Sequence, residues 1–250
     1  MQNTKKIVIV GATSAIAERC ARRWLEQMPI DLTLVGRDAR RVERVAVDLR
    51  VRSPQSEIRV IQSDFLDPVA IDAMVGAIAK SGPIDVALIA HGSLPEQTEC
   101  QTDLLSCREA LEINGVSPVL FAEAFAKEME KAKCGTLALI GSVAGDRGRK
   151  SNYVYGAAKG MIARYAQGLQ HRFSGTGVKV VLVKPGPTDT PMTAHLKAKG
   201  ARLAMVDDVA KEIVDAVMAG RPVLYTPKKW AIIMKIIQHI PYKIFNKLDI

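Results

Sequence analysis

Cysteine is scarce and unpaired. Cys20, Cys100, Cys107 and Cys134 form no Cys-x-x-Cys pair, and Cys20, Cys107 and Cys134 fall in or beside helical or strand patterns. This argues against a disulfide-stapled scaffold or a thiolate metal centre and predicts reduced thiols in a cytosolic setting. The four histidines are scattered without ligand spacing, so no metal is expected. The chain has no run of about 18 uncharged apolar residues, which predicts no membrane-spanning helix. Only Ile7 to Val10 separate the basic start from Gly11, too short an apolar run for a signal peptide. Repeats, low-complexity segments and linkers are missing as well. What remains is an ordinary globular composition, 48% hydrophobic and 24% charged over 250 residues, about right for one large α/β domain.

The net charge is +9, and its distribution is uneven. Residues 228–250 hold Lys228, Lys229, Lys235, Lys243 and Lys247 against Asp249 alone. A basic chain permits nucleic-acid binding, but this charge lies in an isoleucine-rich tail without base-stacking platforms, so nucleic acid is not an expected partner.

Short apolar runs alternate with helical patterns along the chain. Strands are predicted at 6–10, 31–36, 58–61, 84–90, 136–141, 178–183 and 222–226. Helices are predicted from Gly11–Ala17 to about Met28, over 37–52, from Pro68, over roughly 102–131, over 152–173 and over 207–219. The strands are apolar on both faces. This predicts an α/β fold of the Rossmann type, a doubly wound parallel sheet of about seven strands in the order 3-2-1-4-5-6-7. The predicted organisation is a dinucleotide-binding and catalytic domain over 1–227, followed by a basic amphipathic helical tail over 228–250.

In such a sheet ligands bind at the carboxyl ends of the strands. There the sequence places Gly11 to Ala17, Gly36-Arg37, Asp64-Phe65, Ala90-His91-Gly92, Gly141-Ser142 and Pro185-Gly186. Free amides at the first helix N-terminus suit a pyrophosphate. Arg37 follows the second strand and suits a 2′-phosphate, whereas Gly36 stands where an acid would grip a ribose hydroxyl. This favours NADP(H) over NAD(H), although Asp38 is adjacent. Tyr155 and Lys159 are four apart and share a helix face, and Ser142 ends a buried strand. A phenol, an ammonium and a hydroxyl so placed suit proton transfer to a carbonyl oxygen, with the cation lowering the phenol's pKa.

From Ile7 to about Thr226 these motifs resemble the short-chain dehydrogenase/reductase family. The family's Gly-x-x-x-Gly-x-Gly turn stands here as Gly11-Ala-Thr-Ser-Ala15-Ile-Ala17, and its Asn-Asn-Ala-Gly as Ile89-Ala90-His91-Gly92. The Ala15 methyl departs from the pattern closest to the pyrophosphate. By the resemblance the catalytic set is Asn114, Ser142, Tyr155 and Lys159. Tyr155 is the general acid in reduction, Lys159 binds the nicotinamide ribose and tunes the phenol, Ser142 orients the carbonyl, and Asn114 anchors a water that passes protons. The implied cofactor contacts are Gly11, Thr13, Ser14, Ala15, Ile16, Arg37, Asp64 (adenine side), Phe65, Ala90, Gly92, Tyr155, Lys159 and the nicotinamide-side Pro185, Gly186, Thr188 and Thr190. Tyr153 lacks a lysine at plus four and is read as pocket wall or packing.

The tail, Lys228 to Leu248, is predicted to form a helix stopping before Pro241 and then a short turn. It suits lying in an anionic membrane interface, Trp230 at the headgroups and isoleucines in the acyl region. Packing on another subunit of a homo-oligomer is the alternative. His239-Ile-Pro-Tyr-Lys-Ile-Phe-Asn-Lys-Leu, Thr193-Ala-His-Leu-Lys197 and Asn152-Tyr-Val-Tyr-Gly156 are similar to one subgroup, the decaprenylphosphoryl-2-keto-pentose reductases. That resemblance implies reduction of a lipid-linked 2-keto sugar at the inner face of the membrane, after a flavin-dependent oxidase partner. Two other readings stand beside it. One is a soluble reductase of small ketones or 3-ketoacyl substrates. The other is a non-catalytic scaffold, supported by Ala15, Ala17 and the missing asparagine.

Overall fold

Ile7, Val8, Ile9 and Val10 are without solvent exposure, so the first strand is covered on both faces. In the computed structural model, which describes residues 4–198 and 200–248, this strand, β1 (Lys5–Val10), lies near the centre of a seven-stranded sheet. The others are β2 (Ile30–Gly36), β3 (Glu57–Gln62), β4 (Val86–Ile89), β5 (Gly135–Ile140), β6 (Val178–Pro185) and β7 (Val223–Thr226). All pairings are parallel and the order is β3-β2-β1-β4-β5-β6-β7, as the alternation predicts. Ile9 pairs with Leu34 on one side and with Leu88 on the other, which aligns the carboxyl ends of the three strands. The order reverses between β1 and β4, and a crevice opens there.

Helices α1 (Ala15–Gln27), α2 (Ala39–Arg52) and α9 (Val206–Met218) cover one face. On α1, Ala17, Cys20, Ala21, Trp24 and Leu25 recur at helical spacing and are buried against the sheet and α9. Helices α3 (Pro68–Lys80), α6 (Ser117–Ala132) and α7 (Tyr153–Arg172) cover the other. Local signals set their starts. Asp67 accepts from the amides of Val69 and Ala70 ahead of α3, and Pro68 occupies its first turn.

The helical region expected over 102–131 is not continuous. Helix α4 (Gln97–Thr102) ends at Asp103, whose carboxylate caps α5 (Leu104–Leu111) through the amides of Leu105 and Ser106. A π turn, Glu112–Val116, then precedes α6. An aspartate able to cap from an extended backbone breaks a helix that periodicity alone would carry through.

Short α8 (Ala194–Ala198) follows the loop after β6, and the tail forms α10 (Lys229–His239) and α11 (Tyr242–Phe245). Its last residues, Asp249 and Ile250, lie outside the described residues. The tail is docked on the domain. Trp230, Ile233, Met234 and Ile237 form its inward stripe, with Met234 fully buried. The Arg147 side chain donates to the carbonyls of Ile237 (2.5 Å), Gln238 (3.1 Å) and Ile240 (2.7 Å), and it stacks on the Phe245 ring at 3.7 Å. A cation thus closes the C-terminal end of α10, where orphan carbonyls and the helix dipole favour it. The expected placement of Trp230 at lipid headgroups is therefore corrected: its indole faces the protein.

Candidate active site

The π turn, the end of β5 and α7 bring the four candidate catalytic side chains to one cleft at the carboxyl ends of β4 and β5. The cleft holds about 310 Å³, and Asn114, Ser142, Tyr155 and Lys159 all line it. Asn114 is fully buried inside the π turn. Its Nδ2 donates to the carbonyl of Ala110 (2.9 Å) and to Ser93 Oγ (3.2 Å), and its Oδ1 accepts from the Ser93 amide (2.8 Å). These bonds fix the amide. Gly92 is the residue that lets it come close, since a Cβ there would meet Asn114 Oδ1 at 2.8 Å. Ser142 Oγ accepts from the Ala144 amide (3.1 Å), and the serine side chain hydrogen-bonds the Tyr155 phenol.

Lys159 is buried and donates to the carbonyl of Ile140 (3.0 Å), with Nζ 5.7 Å from the Tyr155 ring centroid. The electrostatics differ from expectation in one respect. Burial pushes the Tyr155 phenol up to about 12, with only the Ser142 hydrogen bond acting downward. Burial acts on Lys159 as well, whose ammonium is lowered to about 8. Both groups lose water, and each shifts toward its neutral form.

His91 lies two residues beyond the end of β4, just before Gly92. Its Nε2 hydrogen-bonds Ser117 Oγ (2.8 Å), and its ring makes edge contacts with Phe65 (4.6 Å between centroids) and Phe121 (5.5 Å). Burial first, then the Lys159 and Arg37 charges, lower its pKa to about 3, so the imidazole is neutral.

The candidate cofactor contacts lie at the carboxyl ends of the strands and around the cleft. Gly11 turns with φ +82° and passes so close to His91 that a Cβ would lie 2.6 Å from its amide nitrogen. Ser14 precedes α1 without a side-chain cap, so the first-turn amides beginning at Ala15 and Ile16 are open to an anion. Thr13 is exposed beside them, and Ala17 packs fully into the core. Arg37 is exposed at the end of β2. Asp38 is committed elsewhere: its carboxylate accepts from the Arg41 amide (3.1 Å) as the cap of α2. Asp64 is exposed and accepts from the Leu66 amide (2.8 Å). The Phe65 ring is buried against His91 and Phe121, so a cofactor contact there would be made by its backbone. Ala90, Gly92, Pro185, Gly186, Thr188 and Thr190 line the cleft. Thr188 Oγ1 donates to the Gly186 carbonyl (3.0 Å). Tyr153 is exposed and lies outside the cleft lining.

Some contributors carry no motif. Gln97, Arg149 and Asn152 line the far side of the cleft. Beneath the loop after Ser142, Asp146 forms a buried pair with Lys184 of β6 (2.5 Å) and accepts from the Tyr225 hydroxyl of β7 (2.8 Å). These partners are 38 and 79 residues apart, and no local pattern signals them.

A family model described as short chain dehydrogenase matches residues 5–201. The chain is 27% identical to an uncharacterized oxidoreductase of Streptomyces coelicolor, covering 98% of this chain and 96% of that protein. It is 31% identical to an uncharacterized oxidoreductase of Mycobacterium tuberculosis, covering 90% and 89%. Among solved structures, the actinorhodin polyketide ketoreductase with NADPH superposes with a TM-score of 0.80 at 20% identity, covering 90% of this chain and 97% of the other. A short-chain dehydrogenase from Sphingobium yanoikuyae with NADPH gives 0.81 at 22% identity, covering 98% and 96%. With the family model covering β1 to β6, the π turn and the Tyr155–Lys159 helix, the chain belongs to the short-chain dehydrogenase family.

Proposed function

We propose that this protein reduces a ketone to a secondary alcohol using NADPH, and that its substrate is a polyprenyl-phosphate-linked 2-keto sugar or a similar lipid-linked ketone met at a membrane surface. The observation that carries the reductase reading is the meeting of Asn114, Ser142, Tyr155 and Lys159 in one cleft beside the open N-terminus of α1. The site fits a dinucleotide: uncapped amides for the pyrophosphate and exposed Arg37 for a 2′-phosphate, with Asp38 engaged as a helix cap. The NADPH carried by the two structural neighbours agrees with this choice.

When bound, NADPH supplies the hydride. The chain's residues handle the oxygen. Ser142 orients the carbonyl, and the Tyr155 hydroxyl, protonated throughout the neutral range, donates its proton to the carbonyl oxygen. The Lys159 ammonium stabilises the phenolate that remains, and Asn114 holds the water through which the proton is replaced.

The lipid side rests on the tail. With its inward stripe docked, α10 turns Ile232 (68% exposed) and Ile236 (61%) outward, and Tyr242 (75%) and Ile244 (54%) continue the face. All five tail lysines are exposed around them. An apolar ridge ringed by cations suits an anionic bilayer surface. No helix among the described residues is long and apolar enough to cross a membrane. The ketone would come from an oxidation of the corresponding alcohol, for which a flavin-dependent oxidase is the matching partner. Leu104, Leu105 and Met161, exposed on α5 and α7, support a homo-oligomer.

Fluorescence titration with NADPH and NADH, on wild type and on Arg37→Ala, tests the cofactor. Tight NADPH binding that weakens roughly ten-fold in the variant is expected, from one lost charge-assisted contact. Binding of neither cofactor overturns the reductase reading and favours a scaffold. Co-sedimentation with phosphatidylglycerol vesicles tests the lipid side. The wild-type chain is expected in the pellet and the Ile232→Ser, Ile236→Ser, Tyr242→Ser variant in the supernatant. A wild-type chain that stays in the supernatant leaves the reading of a reductase of soluble ketones.

A further inference from the structure

The cleft beyond Tyr155 contains polar atoms without partners. Arg149 lies between the loop after Ser142 and α7, and its Nε is shielded from solvent and bonded to nothing. Among the described residues no carboxylate pairs with this guanidinium, and burial alone acts on it, lowering its pKa. Gln97 is more than nine-tenths buried. Its Oε1 accepts from the Val154 amide (3.0 Å), which identifies the other arm as the NH2 group, and that nitrogen is also unpartnered. Asn152 Oδ1 is a third orphan, an acceptor. All three side chains line the same cleft as Tyr155 and Ser142. The one carboxylate in the lining, Glu96, is exposed.

Shielding the Nε of a half-buried guanidinium without a partner or counter-charge is costly, and leaving a buried amide donor unpaired adds to that cost. A ligand that supplied the missing partners would remove that cost. The donors and acceptor of the set specify the ligand. The planar fork of Arg149 matches the oxygens of a phosphoryl group. A nearby neutral NH2 suits a further oxygen of the same group, and an amide oxygen suits a hydroxyl.

We propose that Arg149, assisted by Gln97, binds a phosphoryl group carried by the substrate close to the ketone, and that Asn152 accepts from a neighbouring substrate hydroxyl. The substrate is then an anionic, hydroxylated ketone, either a free phosphomonoester or a lipid-linked phosphodiester. This rests on the ketone-reductase reading of the same cleft.

The test uses the full chain loaded with NADP+, so that binding is read without turnover. Calorimetric titrations compare dihydroxyacetone, dihydroxyacetone phosphate and a farnesylphosphoryl 2-keto-pentose, on wild type and on Arg149→Met. At least one phosphorylated ketone is expected to bind roughly 10- to 100-fold tighter than dihydroxyacetone, as one desolvated charge-assisted contact allows. Arg149→Met should erase that preference while its NADP+ affinity stays at the wild-type value. A preference for the monoester indicates a soluble sugar phosphate, and a preference for the farnesyl diester indicates the lipid-linked form. Equal binding of all three by wild type, or a preference that survives Arg149→Met, overturns the proposal. Failure of the reductase reading shows separately, as no binding of NADP+ in the loading step.

Discussion

The indole of Trp230 occupies the space that a side chain at position 186 would fill: a Cβ on Gly186 would lie 2.0 Å from Trp230 Nε1. Gly186 belongs to the loop that borders the cleft, and Trp230 opens the tail helix α10. The tail and the cleft are therefore packed through one residue pair. A methyl cannot be absorbed at that distance, because the indole is rigid and held by a helix.

Gly186→Ala should therefore displace α10 or the loop. The expected outcome is a shifted Trp230 emission and weaker NADPH binding in the same variant, with Trp24→Phe as the background that isolates the tail signal. Unchanged emission and unchanged affinity would mean that the pair is not tightly packed in solution.

Lys159 sets a pH limit. Its ammonium is lowered to about 8 in the free protein, while the Tyr155 phenol stays protonated up to about 12. The charge of Lys159 is present below pH 8 and is lost above it. The kcat/KM for NADPH, which reports the free enzyme, should fall above about pH 8. In Lys159→Arg the residual activity should lose that descending limb, because a guanidinium keeps its proton. A limb that stays near pH 8 in the variant would assign it to another group.

His91 makes the fold acid-sensitive. Its pKa is lowered from 6.5 to about 3 by burial and by the charges of Lys159 and Arg37. The unfolded chain takes up a proton below pH 6.5 that the folded chain refuses. The stability from a neutral His91 is thus complete above 6.5 and declines as pH falls toward 3, by up to roughly 1.4 kcal/mol per unit. Urea midpoints between pH 6.5 and 4 should show this slope, and His91→Phe should flatten it, at the cost of orphaning Ser117 Oγ.

The sheet order and the four catalytic candidates were legible because both depend on short-range patterns. Apolar runs mark buried strands, and the four-residue step from Tyr155 to Lys159 survives any packing of α7. The strand-end position of Arg37 was readable for the same reason. What was hidden depends on distance along the chain or on competition between local choices. Asp103 breaks a periodic helix by capping. Phe65 follows a cofactor-side aspartate, yet its ring joins His91 and Phe121 in the core. Trp230 has the composition of an interfacial anchor, and the absence of a side chain at Gly186 turns it inward. Arg149 belongs to no motif, and its meaning comes only from the missing partner.

The Asp146–Lys184 pair, 38 residues apart, also carries no local signal, and it supports the catalytic loop from below. Asp146 stands four residues after Ser142, Lys184 sits on β6 one residue before Pro185, and both side chains are almost fully buried, at 2% and 8% exposure. Tyr225 donates to the same carboxylate from β7, and adjacent Arg147 holds the end of α10. Asp146→Ala would leave the Lys184 amine buried without a counter-charge, a loss of about 3–5 kcal/mol. Removing both charges, in Asp146→Leu with Lys184→Met, should recover most of that stability, since an apolar pair of similar volume avoids the desolvation cost. Urea unfolding of the single and double variants measures the coupling. The double variant should fold and yet bind NADPH more weakly than wild type, because the pair ties the Ser142 loop to the Pro185–Gly186 loop across two strands. Wild-type cofactor affinity in a stable double variant would limit the pair to holding the sheet edge.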